Sequence, residues 1–150
     1  MKMENAIKQE KFKDEWIRVA VNMYYTQSQL QYASHTCLKP FDISVQQFNI
    51  LRILRGQRDK ALTVSEITDR MIDKMSNASR LIEKLRRKRL VVRTEDQYDR
   101  RRVNITISKE GLLLLNEASE AMEKHLTEKL AGLSKIEANQ LNVLLDKINT

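Results

Sequence analysis

One stretch of strict alternation, Val103-Asn104-Ile105-Thr106-Ile107, breaks a chain whose apolar residues otherwise recur at helical spacing. A period of two marks a half-buried strand. Its nearest partner is Leu90-Val91-Val92, which is apolar and β-branched. The intervening segment, Glu95 to Arg102, is rich in charge. The two strands therefore form a β-hairpin with a long, charged tip, the one β element in a helical protein.

Helices account for the rest. Phe12, Trp16, Val19, Met23, Leu30 and Cys37 fall on one helical face, which predicts a long helix from about Lys11 to Cys37 that stops before Pro40, the only proline. Ser44-Val45-Gln46-Gln47 has the spacing of a capping box. Behind it, Phe48, Leu51, Ile53 and Leu54 form an apolar face, and Gly56 is expected to end that helix. Thr63-Val64-Ser65-Glu66 is a second capping box and opens a short helix with Ile67 and Met71 inward. A fourth helix, about Ser76 to Lys88, buries Leu81, Ile82 and Leu85. After the hairpin, Ser108 caps a helix whose face carries Leu112 to Leu115, Ala118, Met122, Leu126 and Leu130. Ser134-Lys135-Ile136-Glu137 opens the last helix, with Leu141, Leu144, Leu145 and Ile148.

Charge is unevenly placed along this framework. The chain carries a net charge of +7. Lys74 to Arg102 alone holds eleven Lys/Arg against four Asp/Glu, so this segment contains the entire excess. Such a concentration reads as an anion-binding footprint. It coincides with the fourth helix and the hairpin. Two short helices followed by a hairpin form the winged helix-turn-helix plan.

The expected fold is mainly α with a small β-hairpin wing: a winged helix-turn-helix core flanked by N- and C-terminal dimerisation helices. A length of 150 residues fits a single domain. The DNA-binding lobe is expected over about 40–110, and the dimerisation helices over about 11–38 and 109–150. The terminal helices carry more apolar surface than a three-helix core can cover, and a symmetric homodimer is the simplest way to bury it.

In this plan the second helix of the pair offers its N-terminal residues to base edges in the major groove. Here those residues are Ser76, Asn77, Ser79 and Arg80. Asn pairs with adenine, Arg with guanine, and Ser with either. Ser76 and Asn77 also suit a plain helix cap. Arg86, Arg87, Lys88 and Arg89 suit both phosphate contact and the negative end of the helix dipole. At the wing tip, Asp99 and Arg101 lie two apart on one side of an extended chain. Asp99 can aim the Arg101 guanidinium into a minor groove, with Arg100 and Arg102 beside it.

Asp99-x-Arg101 followed by Val103-x-Ile105-x-Ile107-Ser108-x-x-Gly111 resembles the wing signature of the multiple antibiotic resistance regulator (MarR) family. Asn77-Ala78-Ser79-Arg80-Leu81-Ile82-x-x-Leu85 resembles that family's recognition helix. The resemblance covers nearly the whole chain. It implies an intertwined dimer, a pseudo-palindromic double-stranded operator, and a transcription regulator that is usually a repressor, often released by a small ligand or by oxidation. Arg89 departs from the pattern, because the family usually has Gly just after the recognition helix.

Tyr24, Tyr25, Tyr32, His35 and Phe48 are candidates for a pocket that takes a small aromatic or anionic effector; an aromatic stripe of this kind also fits core or dimer interface. Cys37 reads as a small buried hydrophobe. His35 and His125 are far apart, and no His/Cys/Asp cluster has metal-ligand spacing, so no metal or cofactor is expected. No nucleophile–base pair or phosphate-binding glycine loop suggests an enzyme. A single cysteine, no membrane-length apolar run and a polar start from Met1 to Glu10 suggest a cytoplasmic protein. A competing reading is a winged-helix interaction module whose basic face docks an acidic protein.

Overall fold

In the computed structural model, which describes residues 1–57 and 60–150, the order is α1 (Met3–Ile7), α2 (Glu15–Leu38), a 3-10 turn (Lys39–Phe41), α3 (Val45–Gln57), α4 (Val64–Arg70), α5 (Ala78–Arg87), β1 (Val91–Glu95), β2 (Val103–Ile107), α6 (Lys109–Lys129) and α7 (Lys135–Ile148). The short α1 was not legible in the sequence. It is tied to α2 by Glu4, whose carboxylate accepts from the Arg18 guanidinium. The long helix starts at Glu15 rather than near Lys11, because the Asp14 carboxylate accepts from the Ile17 N–H at 2.9 Å and fixes the first turn there. None of the helices is long and apolar enough, among the described residues, to cross a membrane.

All three capping boxes form. Ser44 Oγ accepts from the Gln47 N–H, and the Gln47 side chain accepts in return from the Ser44 N–H, both at 3.0 Å. Thr63 with Glu66, and Ser134 with Glu137, make the same reciprocal pairs. Gly56 is a correction. It lies inside α3, which continues to Gln57, and it has no positive φ, so it does not act as a left-handed stop.

The core runs from Leu38 through Phe48, Ile50, Leu51 and Leu54 of α3, then Ile67, Ile82 and Leu85, to Leu115, Ala118 and Met122 of α6. β1 and β2 pair antiparallel, with Val91 opposite Ile107 and Glu95 opposite Val103. Ile105 is also bracketed on its other edge. Leu62 exchanges two backbone hydrogen bonds with it, at 3.0 and 2.8 Å, so the chain entering α4 acts as a one-residue third strand. That bridge fixes the hairpin against α4 and α5.

The end of α5 resolves the one departure from the family pattern. Arg89 adopts φ 61°, the left-handed conformation that glycine favours. The Leu90 N–H donates to the Leu85 carbonyl at 3.0 Å and the Arg89 N–H to the Arg86 carbonyl at 2.9 Å. The turn is therefore kept and Arg89 bears the strain, about 1 kcal/mol. Arg89→Gly is expected to raise the thermal midpoint by about 2–4 °C. An unchanged or lower midpoint in a thermal melt would show that the left-handed strain is compensated elsewhere.

Ser108 holds the same junction from the other side. Its hydroxyl donates to the Arg89 carbonyl at 2.7 Å and accepts from the Gly111 N–H at 2.9 Å. Its own N–H donates to the Leu90 carbonyl. The last element, α7, buries none of its residues: Ile136, Leu141, Val143, Leu144 and Ile148 are all exposed.

Candidate nucleic-acid interface

The second helix of the pair, α5, buries Ala78, Ile82 and Leu85 at positions i, i+4 and i+7. That stripe fixes its rotation and leaves Ser79, Arg80, Lys84, Arg86 and Arg87 facing solvent. The helix starts two residues later than the sequence suggests. Asn77 is its N-cap: Oδ1 accepts from the Arg80 N–H at 3.1 Å. This occupies one of the two groups a bidentate contact to adenine would need, and leaves the Nδ2 donors outward. Ser76 stands before the cap, half-buried.

The basic run at the end of α5 is largely paired within the chain. Arg86 holds Glu83 with two hydrogen bonds, Nε to Oε2 at 2.9 Å and Nη2 to Oε1 at 2.7 Å, and Arg87 Nε lies 3.5 Å from the same carboxylate. The Arg86 hydrogen bonds, with the charges of Arg86 and Arg87, hold the Glu83 carboxyl down at about 2. Lys88 Nζ contacts Asp42, through both its carbonyl and its carboxylate, the latter at 3.1 Å. These pairs are exposed and exchangeable, so each contributes little to stability. Arg80 and Arg89 make no ion pair among the described residues.

The wing tip is a built turn. Asp96 Oδ1 accepts from the N–H groups of Tyr98 and Asp99 at 2.8 and 3.1 Å, and Oδ2 accepts from the Asn104 amide at 3.2 Å. The backbone donor from Tyr98, followed by Asn104 and Asp99, lowers the Asp96 carboxyl below its usual range. Asp99 Oδ1 accepts from the Arg101 N–H at 3.0 Å and from Arg101 Nε at 3.3 Å. Arg101 itself is 93% exposed, so the carboxylate steadies the stem and leaves the end of the guanidinium in solvent. Arg102 behaves differently from its neighbours. It turns back to the body, with Nη2 on Glu66 Oε1 at 3.1 Å and Nε on Asn104 Oδ1 at 3.3 Å. Glu66 belongs to the capping box of α4, and this link is separated by too much chain to be read from sequence.

Together these elements line one cleft of about 440 Å³, walled by Thr63 and Ser65 of the α4 start, Ser79 and Glu83 of α5, and Arg93, Arg101 and Arg102 of the wing. Sequence reasoning did not single out Arg93, nor the exposed Ile72, Met75 and Tyr98 on this lobe.

The candidate effector residues separate. Phe48 is 6% exposed and belongs to the core. Tyr32 and His35 border a shared cleft with Gln31 and Ser44, which Tyr24, exposed, and Tyr25, half-buried, do not line. Tyr32 also borders a cleft of about 590 Å³ between α2 and α6, with Thr36, Cys37, Lys124 and His125. There the His125 Nε2 is buried with no hydrogen-bond partner among the described residues. Cys37 is half-buried and packs on the core.

Residues 41–102 match the sequence model of the MarR family. The HTH-type transcriptional regulator PapX of Escherichia coli is 24% identical over 108 residues, covering 72% of this chain and 66% of that protein, just under two thirds of its length. A mutant of MarR from Escherichia coli, solved in complex with operator DNA, superposes with a TM-score of 0.80 at 20% identity, over 93% of this chain and 99% of that one. The organohalide-sensing transcriptional regulator RdhR, in its 2,4-dichlorophenol-bound form, gives 0.83 at 19% identity, over 93% and 85%. Residues 41–102 thus match the sequence model of the MarR family, and the chain as a whole shares the fold of these solved regulators.

Proposed function

We propose that the protein is a sequence-specific, double-stranded DNA-binding transcription regulator that acts as a homodimeric repressor. One observation carries the reading. Ser79 at the start of α5 and the wing residues Arg93, Arg101 and Arg102 line the same cleft, and the exposed Arg80 follows Ser79 in the chain. Ser79 and Arg80, with the free Asn77 amide and Ser76, address base edges. Arg101, steadied by Asp99 and flanked by Arg100, enters the adjacent minor groove. Arg86, Arg87 and Lys88 exchange their internal carboxylates for phosphates, a swap that positions the protein without reading sequence. Arg102 serves mainly to brace the wing on α4.

The homodimer follows from α2 and α7, whose exposed apolar residues need a cover, and a second copy supplies one with two-fold symmetry. Two recognition helices then fall about 34–36 Å apart, one turn of DNA. The expected operator is pseudo-palindromic. The cleft between α2 and α6, with Tyr32 and the unpartnered His125 Nε2, is the best-supported place for a small aromatic or anionic effector that releases DNA. RdhR carries a dichlorophenol in its solved form, which supports a ligand of that kind.

Selection of bound fragments from genomic DNA by the purified protein tests the reading. Enrichment of an inverted repeat is expected; recovery of random sequence would refute sequence-specific regulation. On the enriched duplex, Arg101→Ala is expected to weaken binding roughly 5- to 100-fold, while Lys88→Ala weakens all duplexes modestly and lowers the salt slope by about 1. Equal and negligible effects of the two substitutions would remove the wing from the mechanism.

A further inference from the structure

The turn between α4 and α5 carries two large apolar side chains in solvent. Ile72 is 87% exposed and Met75 is 93% exposed. Apart from Met1, the comparably exposed apolar side chains elsewhere lie on the terminal helices, or at the wing tip as Tyr98. A dimer partner accounts for the helices, but not for this turn, which sits at the entrance to α5.

Nor is the turn loose. The Ile72 N–H donates to Asn49 Oδ1 of α3 at 2.9 Å. Asp73 accepts from the Met75 N–H at 3.0 Å through its carboxylate, and from the Ser76 N–H through its carbonyl. Lys74 Nζ donates to the Asp69 carbonyl. Asn49 of α3, the Asp69 carbonyl of α4 and the turn's own Asp73 and Lys74 therefore hold the backbone at Met75 in place, two residues before the Asn77 cap, with its side chain in solvent.

We infer that Met75 is a specificity-determining residue that packs against a thymine C5-methyl group in the major groove, with Ile72 beside it. The inference rests on the DNA-binding reading above. Residues at the start of the second helix reach base edges, and the thymine methyl is the one apolar feature the major groove presents there. Exposed apolar side chains at this turn suit no phosphate ligand. The unbranched, polarisable thioether suits contact with a methyl group. This contact would add a preference for thymine to what Asn77, Ser79 and Arg80 read.

The test uses the duplex enriched by genomic selection, with each thymine replaced in turn by deoxyuridine. That change removes the methyl and keeps base pairing. The unaltered protein is expected to lose about fourfold in affinity at one or more positions per half-site, the worth of one methyl group. Met75→Ala is expected to bind the thymine and uracil duplexes equally, and Met75→Leu to restore the difference. Deoxyuridine sensitivity that persists in Met75→Ala would overturn the inference. So would a protein that selects an inverted repeat but has no deoxyuridine-sensitive position. If no duplex is selected, the DNA-binding reading falls with it, which separates the two failures.

Discussion

Gly111→Ala is expected to lower the thermal midpoint by about 6–12 °C, the effect of about 3 kcal/mol on a chain of this length. Helix propensity alone predicts the opposite, since Ala is favoured over Gly inside a helix by about 1 kcal/mol. The structure decides the sign. A Cβ at Gly111 would overlap the Leu90 carbonyl oxygen and stand 2.9 Å from its carbon and 3.0 Å from Ile107 Cγ1. Leu90 lies between the end of α5 and the start of β1, and its carbonyl already accepts from the Ser108 N–H. Neither backbone can withdraw without breaking the junction that Ser108 and Arg89 make. Gly56→Ala is the control. Among the described residues nothing lies within 4 Å of a Cβ there, so helix propensity should act alone and stabilise slightly. Thermal unfolding of both variants checks the pair. A Gly111→Ala midpoint within 2 °C of the parent, roughly the span of a sub-kcal change, would mean that α6 does not pack so closely over the wing base.

The second large effect concerns the terminal helices. Leu144→Glu is expected to convert a dimer to a monomer and to weaken operator binding at least about 100-fold, because each half-site then binds without its tethered neighbour. Leu141, Leu144, Leu145 and Ile148 repeat at i, i+3, i+4 and i+7 along α7, and the chain's own fold buries none of them. Leu144 is 56% exposed in the protomer, so the substitution costs little packing within it. Folding should survive. Light scattering and duplex binding on the same sample measure the outcome. A dimer that persists would place the interface elsewhere, for example on Trp16, Val19 and Met23 of α2.

These expectations show which parts of the fold can be read locally. Capping boxes are local, with both partners three residues apart, and Ser44, Thr63 and Ser134 start or flank helices as their spacing implies. The alternation of Val103 to Ile107 is equally local, and β2 has those bounds. Gly56 misleads because a glycine stops a helix only where the chain turns left-handed, and the path of the next segment decides whether it does. Arg89 shows the converse. The turn after α5 is imposed by the packing of Leu90 and Gly111, so it survives without glycine.

The interface was legible in outline and less so in detail. The excess charge between Lys74 and Arg102 points to the α5 and wing face, and Asp99 meets Arg101 as their spacing suggests. Pairs formed across the fold were hidden. Arg102 reaches Glu66, Lys88 reaches Asp42, and the Leu62 bridge to Ile105 links segments far apart in the chain. Phe48 looked like part of an aromatic group with Tyr32 and His35, but a residue's face on α3 relative to α2 depends on how those helices cross. Exposed apolar residues such as Met75 were invisible too, because an apolar residue type does not say whether the fold turns it inward or outward.

The most direct test of the central claim is a titration of the selected inverted-repeat duplex, and of a shuffled duplex of equal composition, across a salt series. Affinity for both is expected to fall steeply with salt, as phosphate counterions are released. At physiological salt the two should differ at least on the order of a thousandfold. Equal affinity for the two duplexes at every salt concentration would contradict sequence-specific binding.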